Sequence, residues 1–403
     1  MTNPPIPAIL DLEGIGFDEG AHLLLQRALH DTPPGAELGV AGGDRELLVH
    51  LDSWCRQKGH RVRRADDAAS GVHSWVIRGR ADVDRWAGAE RAGGPGTDGI
   101  VARADPRWGL AARGALVEPG GPPVPFDLIE RDLIWADLAP KLYASAVASQ
   151  WKPDEVVPWD AEFTLPDEVE QAVVQVMTYL VENEQAALVI PARLLSRIHP
   201  HFHEVQQLLA VQAADEARHM DVFTRRALLK GGELGTSSVS GRESLATLIT
   251  EPDFSLASFL LSVLGEGSFL NLLSFLDANA PDPVTRQVTR LARQDEARHV
   301  AFGVGHLQHQ SKVDPALRGR LRAAVERRHD ALVDTAGLNQ DVFDALIVLA
   351  AGEWTPAAIR HGYQRVQALQ QEMDEGRQHR LIRLGFPADE AVELSSLHTR
   401  NFM

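Results

Sequence analysis

The sequence predicts a mainly α protein: a four-helix bundle with extra C-terminal helices, preceded by a small N-terminal α+β domain of order βαβαββ. Three observations predict it. From residue 166 onward apolar residues recur at helical spacing and no strand pattern competes. The pentapeptide DEARH occurs twice, at 215 to 219 and at 295 to 299, which points to two matching helical hairpins. The first eighty residues instead alternate short β-like runs with amphipathic helices.

The chain of 403 residues is long enough for two or three compact units. A formal net charge of −16 with no basic cluster argues against a nucleic-acid partner, because phosphate binding needs a concentrated cationic surface. The single cysteine, Cys55, excludes a disulfide framework or a cysteine-ligated zinc or iron–sulfur site within one chain. The opening MTNPPIPAILDLEG lacks the basic-then-apolar run of a secretory signal, so a cytoplasmic location is expected. The apolar stretch 254 to 276 is long enough to span a bilayer but carries Glu266 near its centre; it is expected to be a helix buried within a bundle, and no membrane partner is expected.

In the N-terminal domain, residues 1 to 80, AILDLEG reads as a strand and DEGAHLLLQRAL as a helix stopped by TPPG. AELGVAGG is a second strand, DRELLVHLDSWCRQKGH a second helix, and RVRRADD and HSWVIRGR are two further strands. The LDLEG strand, the LLLQRALHDTPPGAEL helix and turn, and WCRQKGH together resemble the TusA-like (SirA-like) sulfur-carrier fold. The resemblance implies a Cys-Pro-x-Pro segment after the first glycine, where this chain has Phe17, Asp18, Glu19 and Gly20. Without that cysteine the domain is expected to be a scaffold for docking or for a homodimer, with Cys55 in the second helix packed or semi-exposed and no replacement for the missing one.

Residues 81 to 165 read as a linker rich in Gly, Ala, Pro and Arg followed by a leading helix. The bundle is assigned to 166–312 and a C-terminal helical extension to 313–403.

Within the bundle, residues three apart share a helix face, so Glu216 and His219 address one centre, as do Glu296 and His299. Each pair also has an upstream glutamate at nearly the same distance: Glu184 thirty-two residues before Glu216, and Glu266 thirty before Glu296. The midpoints fall at Pro200 and Pro281, both in turn-forming segments. An antiparallel hairpin turning there returns each partner to the same height, roughly 24 Å from the turn at 1.5 Å per residue. Two such hairpins face to face supply four carboxylates and two imidazoles to one point.

Some neighbours need separate placement. Of Glu182 and Glu184, Glu184 shares the apolar stripe of Val173, Val176, Met177 and Leu180 and is taken as the core-facing one. Glu266 is the only charge in its apolar helix, and a metal would resolve the cost of burying it. Gly265 and Gly267 beside it permit a helix irregularity. Asp215 and Asp295 are placed to accept the second ring N–H of the opposite hairpin's histidine. Arg218 and Arg298 are expected to clasp nearby carboxylates, His199, His201 and His203 to pack the first hairpin turn, and His306 either to pack or to line a pocket.

The six positions Glu184, Glu216, His219, Glu266, Glu296 and His299 resemble the ligand pattern of the ferritin-like di-iron carboxylate superfamily. The resemblance implies two iron ions, or a manganese–iron pair, with O₂ as co-substrate, acting on a small-molecule substrate with an external electron donor. It implies an O₂-dependent oxygenase or oxidase of monooxygenase or oxidase type. A ferroxidase or iron-binding protein without an organic substrate is the alternative. A ribonucleotide-reductase small subunit would carry a radical tyrosine about one turn after the first ligand, where this chain has Ala187 and Leu188.

Overall fold

The computed structural model describes residues 8–65, 71–333 and 340–398. The chain divides into two compact units. One runs to Ala92 and includes Gly114–Pro122, and the other comprises Gly93–Arg113 and Pro123 onward. The region read as linker and leading helix is thus shared between them.

The first unit has the order β1 (Ile9–Asp11), α1 (Ala21–Asp31), β2 (Glu37–Ala41), α2 (Leu47–Gln57), β3 (Arg61–Arg64), β4 (Ser74–Ile77). This is the βαβαββ pattern read from the alternating periodicities; Asp66 and Asp67 of RVRRADD lie outside the described residues. The sheet order is β1-β2-β4-β3, with β1 parallel to β2 and the other pairs antiparallel. Ala21, Leu25 and Leu29 recur at i, i+4 on α1, as do Leu47, Leu51 and Cys55 on α2, and these rows bury with Leu38, Val40 and Val76. Cys55 is fully buried, and burial pushes its thiol up to about 12, so it behaves as a small apolar residue. A short helix α3 (Ala81–Arg85) and a two-stranded ribbon, β5 (Glu90–Arg91) with β6 (Leu116–Val117), complete this unit.

The second unit begins with α4 (Ala139–Ala148) and α5 (Pro153–Val156). Its first long hairpin is α6 (Asp167–Leu195) and α7 (His203–Leu228), joined through a 3₁₀ turn at Pro200–Phe202. After α8 (Val239–Ile249), the second hairpin rises through α9 (Phe254–Ser258), a π-helical stretch at Phe259–Glu266 and α10 (Gly267–Asn279), then returns as α11 (Pro283–Val313). The C-terminal extension comprises α12 (Leu317–Leu332), α13 (Gln340–Ala351), α14 (Pro356–Arg383) and α15 (Ala388–His398). The two hairpins pair α6 with α7 and α10 with α11, and α7 meets α11 across the bundle.

Local chemistry fixes the ends. Asp167, Glu168 and Glu170 fill the first turn of α6, where negative charge complements the helix dipole. Asp282 caps α11 by accepting the Thr285 N–H at 2.8 Å, with Pro283 as the first helical residue. The stripe on α6 buries as its periodicity predicts, but Tyr179, Val181 and Asn183 bury too. Tyr179 meets the Phe269 ring of α10 at 6.2 Å, Asn183 faces the same ring across a small cavity, and α13 packs against α6 as a further neighbour. The apolar segment Phe254–Asn279 is long and apolar enough to cross a membrane, and 83% of its most apolar window is buried inside the protein.

Candidate metal centre

The two hairpins bring all six sequence-predicted side chains together. Glu184 comes from α6, Glu216 and His219 from α7, Glu266 from the end of the π-helical stretch, and Glu296 and His299 from α11. Each is at most 5% exposed. They form two overlapping groups, Glu184, Glu216, His219 and Glu296, and Glu216, Glu266, Glu296 and His299; in each, one donor atom per residue lies within 4.8 Å of the others. Glu216 and Glu296 belong to both. His219 Nδ1 lies 3.2 Å from Glu216 and 3.6 Å from Glu184, and His299 Nδ1 lies 3.0 Å from Glu216 and 3.4 Å from Glu296.

These atoms approach one another without hydrogen-bond alignment. Both oxygens of Glu216, Oε1 of Glu184, Oε2 of Glu266 and Glu296, and Nδ1 of both histidines are buried with no hydrogen-bond partner. Polar atoms stripped of water in this way cost several kcal/mol each unless something binds them. Burial, reinforced by the neighbouring carboxylates, raises the affinity of Glu184 and Glu266 for a proton. Burial disfavours charge on His219 and His299 too, but the surrounding carboxylates outweigh it and raise the proton affinity of both imidazoles. Four carboxylates and two neutral imidazoles match two divalent cations in charge, so the cluster could hold a dinuclear metal centre. Loading such a pair would expel those protons, and affinity would fall with pH.

The outward ring nitrogens are tied across the hairpins as expected. His219 Nε2 lies 3.2 Å from Asp295 of α11, and His299 Nε2 lies 3.3 Å from Asp215 of α7. Each N–H donated to a carboxylate keeps the inward Nδ1 available as an electron-pair donor. Arg218 bonds both aspartates, Asp295 at 2.8 Å, and Arg298 also bonds both, Asp215 at 3.2 Å. The facing histidine, joined at Asp295 by Arg218, offsets the desolvation of each carboxyl and holds both below the usual carboxylate range.

Three further participants escaped sequence reading. The Trp151 indole N–H donates to Asp295 at 2.8 Å, while its ring stacks at 14° on His219 and lies under the Arg218 guanidinium. The Gln150 amide donates to Asp215 at 2.9 Å. Both sit just after α4, and no spacing rule links them to residues 65 and 144 positions away. Gln212 donates to Glu266 Oε1 at 3.0 Å, and it had a signal: it lies one turn before Glu216 on the same face.

Beside the carboxylates lies a small cavity of about 20 Å³, room for one water-sized molecule. Ala186, Ala187, Leu248, Leu261 and Phe269 line it together with Asn183. The Asn183 amide nitrogen donates to the Tyr179 carbonyl at 2.7 Å, which leaves its oxygen without a partner. Glu182, the competitor of Glu184, is half-buried and belongs to neither donor group.

His199, His201 and His306 are structural. His199 Nδ1 accepts the His201 N–H, and His201 Nε2 accepts the Val101 N–H at 3.0 Å, so these two pack the turn. His306 is fully buried between the Trp135 carbonyl, 3.1 Å from Nδ1, and the Ser255 hydroxyl, 3.0 Å from Nε2. Burial lowers its pKa to about 4. Because the folded value lies below the ordinary value of 6.5, the folded state disfavours protonation. Its contribution is complete above pH 6.5 and is lost as pH falls towards 4, by up to about 3 kcal/mol at 1.36 kcal/mol per unit. Urea unfolding should therefore show a pH dependence between 6.5 and 4 that is flatter in His306→Gln; identical slopes would refute the assignment.

No family model matches the sequence, and no curated protein matches it. Among solved structures, the chain is similar to a protein with aldehyde deformylating oxidase activity from Synechococcus, 18% identical over 57% of this chain and 96% of that one, TM-score 0.42. It is also similar to an R2-like ligand-binding oxidase from Sulfolobus acidocaldarius, 16% identical over 60% and 91%, TM-score 0.40. A variant R2-like ligand-binding oxidase with an aerobically reconstituted Mn/Fe cofactor is 18% identical over 61% and 94%, TM-score 0.45.

Proposed function

We propose that this chain is a dinuclear non-haem iron, or manganese–iron, oxidoreductase that uses O₂ to oxidise a small organic molecule. The observation that carries the proposal is the set of seven buried, partnerless donor atoms on six side chains, arranged as two groups that share Glu216 and Glu296. Carboxylate-dominated donors with two imidazoles suit Fe(II) and Mn(II). When bound, such a pair supplies the electrons that reduce O₂.

The protein's own residues account for the rest. Glu184 with His219, and Glu266 with His299, would each hold one ion, while Glu216 and Glu296 serve both. Asp215 and Asp295 hold the Nε2 protons and so fix which ring nitrogen faces inward. Trp151 and the two arginines close the histidine side against water. On the other side, the Ala186, Ala187 and Phe269 walls keep the cavity apolar, and a C–H bond presented there would meet the centre away from solvent. The Asn183 oxygen would orient an incoming hydrogen-bond donor. A substrate larger than the present cavity requires movement of the α6 or α8 wall. An external electron donor would restore the reduced centre between turnovers.

The test is anaerobic titration with Fe(II) followed by admission of O₂. Binding is expected to saturate at two ions per chain, with O₂ uptake in proportion to the loaded centre. Saturation at one ion or none would sink the proposal. Continued iron uptake and oxidation far beyond two ions per chain would instead favour an iron-handling protein.

A further inference from the structure

Two arginines of the C-terminal extension stand outside the metal centre, Arg377, which is buried, and Arg380, which is half-buried, one turn apart on α14. Arg380 donates through Nε to the Val263 carbonyl at 2.7 Å, within the π-helical stretch that ends at Glu266. Arg377 donates to Ser268 Oγ at 3.3 Å, and that hydroxyl donates to the Leu264 carbonyl at 2.8 Å. Two successive carbonyls of the irregular turn are therefore tied, directly or through one hydroxyl, to α14.

The fit depends on absent side chains. A methyl on Gly267, the residue after Glu266, would collide with Nε and Cζ of Arg380. On α14 itself, a methyl on Gly376 would stand 3.1 Å from Arg380 Nη1. The guanidinium thus occupies the space that both glycines leave open. Burial, with Arg377 close by, lowers the Arg380 pKa to about 10, so it remains a cation at neutral pH despite its partly unsatisfied Nη2.

A π turn carries an extra residue per hydrogen-bonded loop, so it rotates the side chains that follow it relative to an α-helix and misaligns nearby carbonyls. Glu266 is the last residue of this one. We propose that Arg380 is a positioning residue for the metal centre: by holding the Val263 carbonyl and filling the notch at Gly267, it locks the π turn in the register that aims Glu266 at His299 and Glu296. The inference rests on the dinuclear reading and adds to it that the C-terminal extension is part of the site. It acts through the backbone.

The experiment is anaerobic Fe(II) titration of full-length wild type, Arg380→Leu and Arg380→Lys, with Co(II) absorption as a second probe of ligand geometry. Folding of each variant is checked by circular dichroism. Wild type should bind two ions. Arg380→Leu should keep the ion held by Glu184 and His219 and bind the other about 10-fold to 100-fold more weakly, the usual effect of losing a group that orients a ligand. Its Co(II) bands should change for one ion of the two. Arg380→Lys, which keeps a donor within reach of the carbonyl, should recover part of the affinity. Should Arg380→Leu fail to fold, Gly267→Ala tests the same point, because its methyl displaces the guanidinium without removing it. If wild type binds two ions and the folded variants bind both with unchanged affinity and spectra, the clamp is overturned while the dinuclear reading stands. If wild type itself binds fewer than two, that reading fails and the clamp falls with it.

Discussion

Glu216→Ala is expected to abolish tight binding of both metal ions, whereas Glu184→Ala and Glu266→Ala should each remove one. The asymmetry follows from membership: Glu216 has donor atoms in both groups, while Glu184 stands only with His219 and Glu266 only with His299. Glu296→Ala should behave like Glu216→Ala, since it is the other shared carboxylate. Losing a shared ligand takes one donor from each ion. Losing an unshared ligand leaves one donor group complete. Metal per chain, measured by plasma mass spectrometry after anaerobic Fe(II) loading and desalting, should read near two for wild type, near one for Glu184→Ala and Glu266→Ala, and near zero for the shared pair. Four variants with the same stoichiometry would mean that the groups do not act as two overlapping sites.

The same measurement has a pH arm. In the metal-free protein the surrounding carboxylates raise the proton affinity of His219 and His299 above its ordinary range, and burial raises that of Glu184 and Glu266. Each ion must therefore displace protons, and affinity should weaken steadily as pH is lowered. Asp295→Asn should steepen the loss at the His219 ion, because the outward N–H loses its charged acceptor.

Helical periodicity explains why so much of the centre was legible. Glu-x-x-His places two donors on one face, and equal spacing to an upstream glutamate across a turn places a third at the same height; both are local rules that need no knowledge of the partner hairpin. Cross-hairpin service by Asp215 and Asp295 follows from the twofold character of the repeat. Trp151 and Gln150 were invisible for the opposite reason: they reach the centre from a connection whose course is set by tertiary packing. The π turn was only hinted at by Gly265 and Gly267, since its geometry depends on Arg380, more than a hundred residues away. On α6, a single stripe was visible in the sequence, but Tyr179 and Asn183 bury towards Phe269 of α10, a neighbour that no pattern within α6 reveals. In the first unit, alternation against helical spacing separated strands from helices, but the strand order depends on pairings that no local pattern encodes.

Arg226→Leu is expected to be the most destabilising single substitution away from the metal centre. Arg226 is fully buried on α7 and holds the two hairpins together. Its Nη1 and Nη2 donate to Glu170 of α6 at 2.6 and 3.0 Å, Nη2 also donates to Asp282 at 2.8 Å, and Nε donates to Thr285 at 2.8 Å. Asp282 is itself buried and caps α11, so leucine would strand a buried carboxylate whose other oxygen must still hold the helix start. Removing one partner of such a buried pair costs about 3–5 kcal/mol, because the remaining charge is left uncompensated. Glu170→Ala should cost far less, since Glu170 is partly exposed and Asp282 keeps its arginine. Replacing Asp282 as well, in Arg226→Leu with Asp282→Asn, should recover part of the loss by removing the stranded charge while an amide oxygen still caps Thr285. Urea unfolding followed by helical circular dichroism measures all of these. A loss below about 1 kcal/mol in Arg226→Leu, or no recovery in the double variant, would show that the hairpins are held by apolar packing and that the buried ion network contributes little to their register.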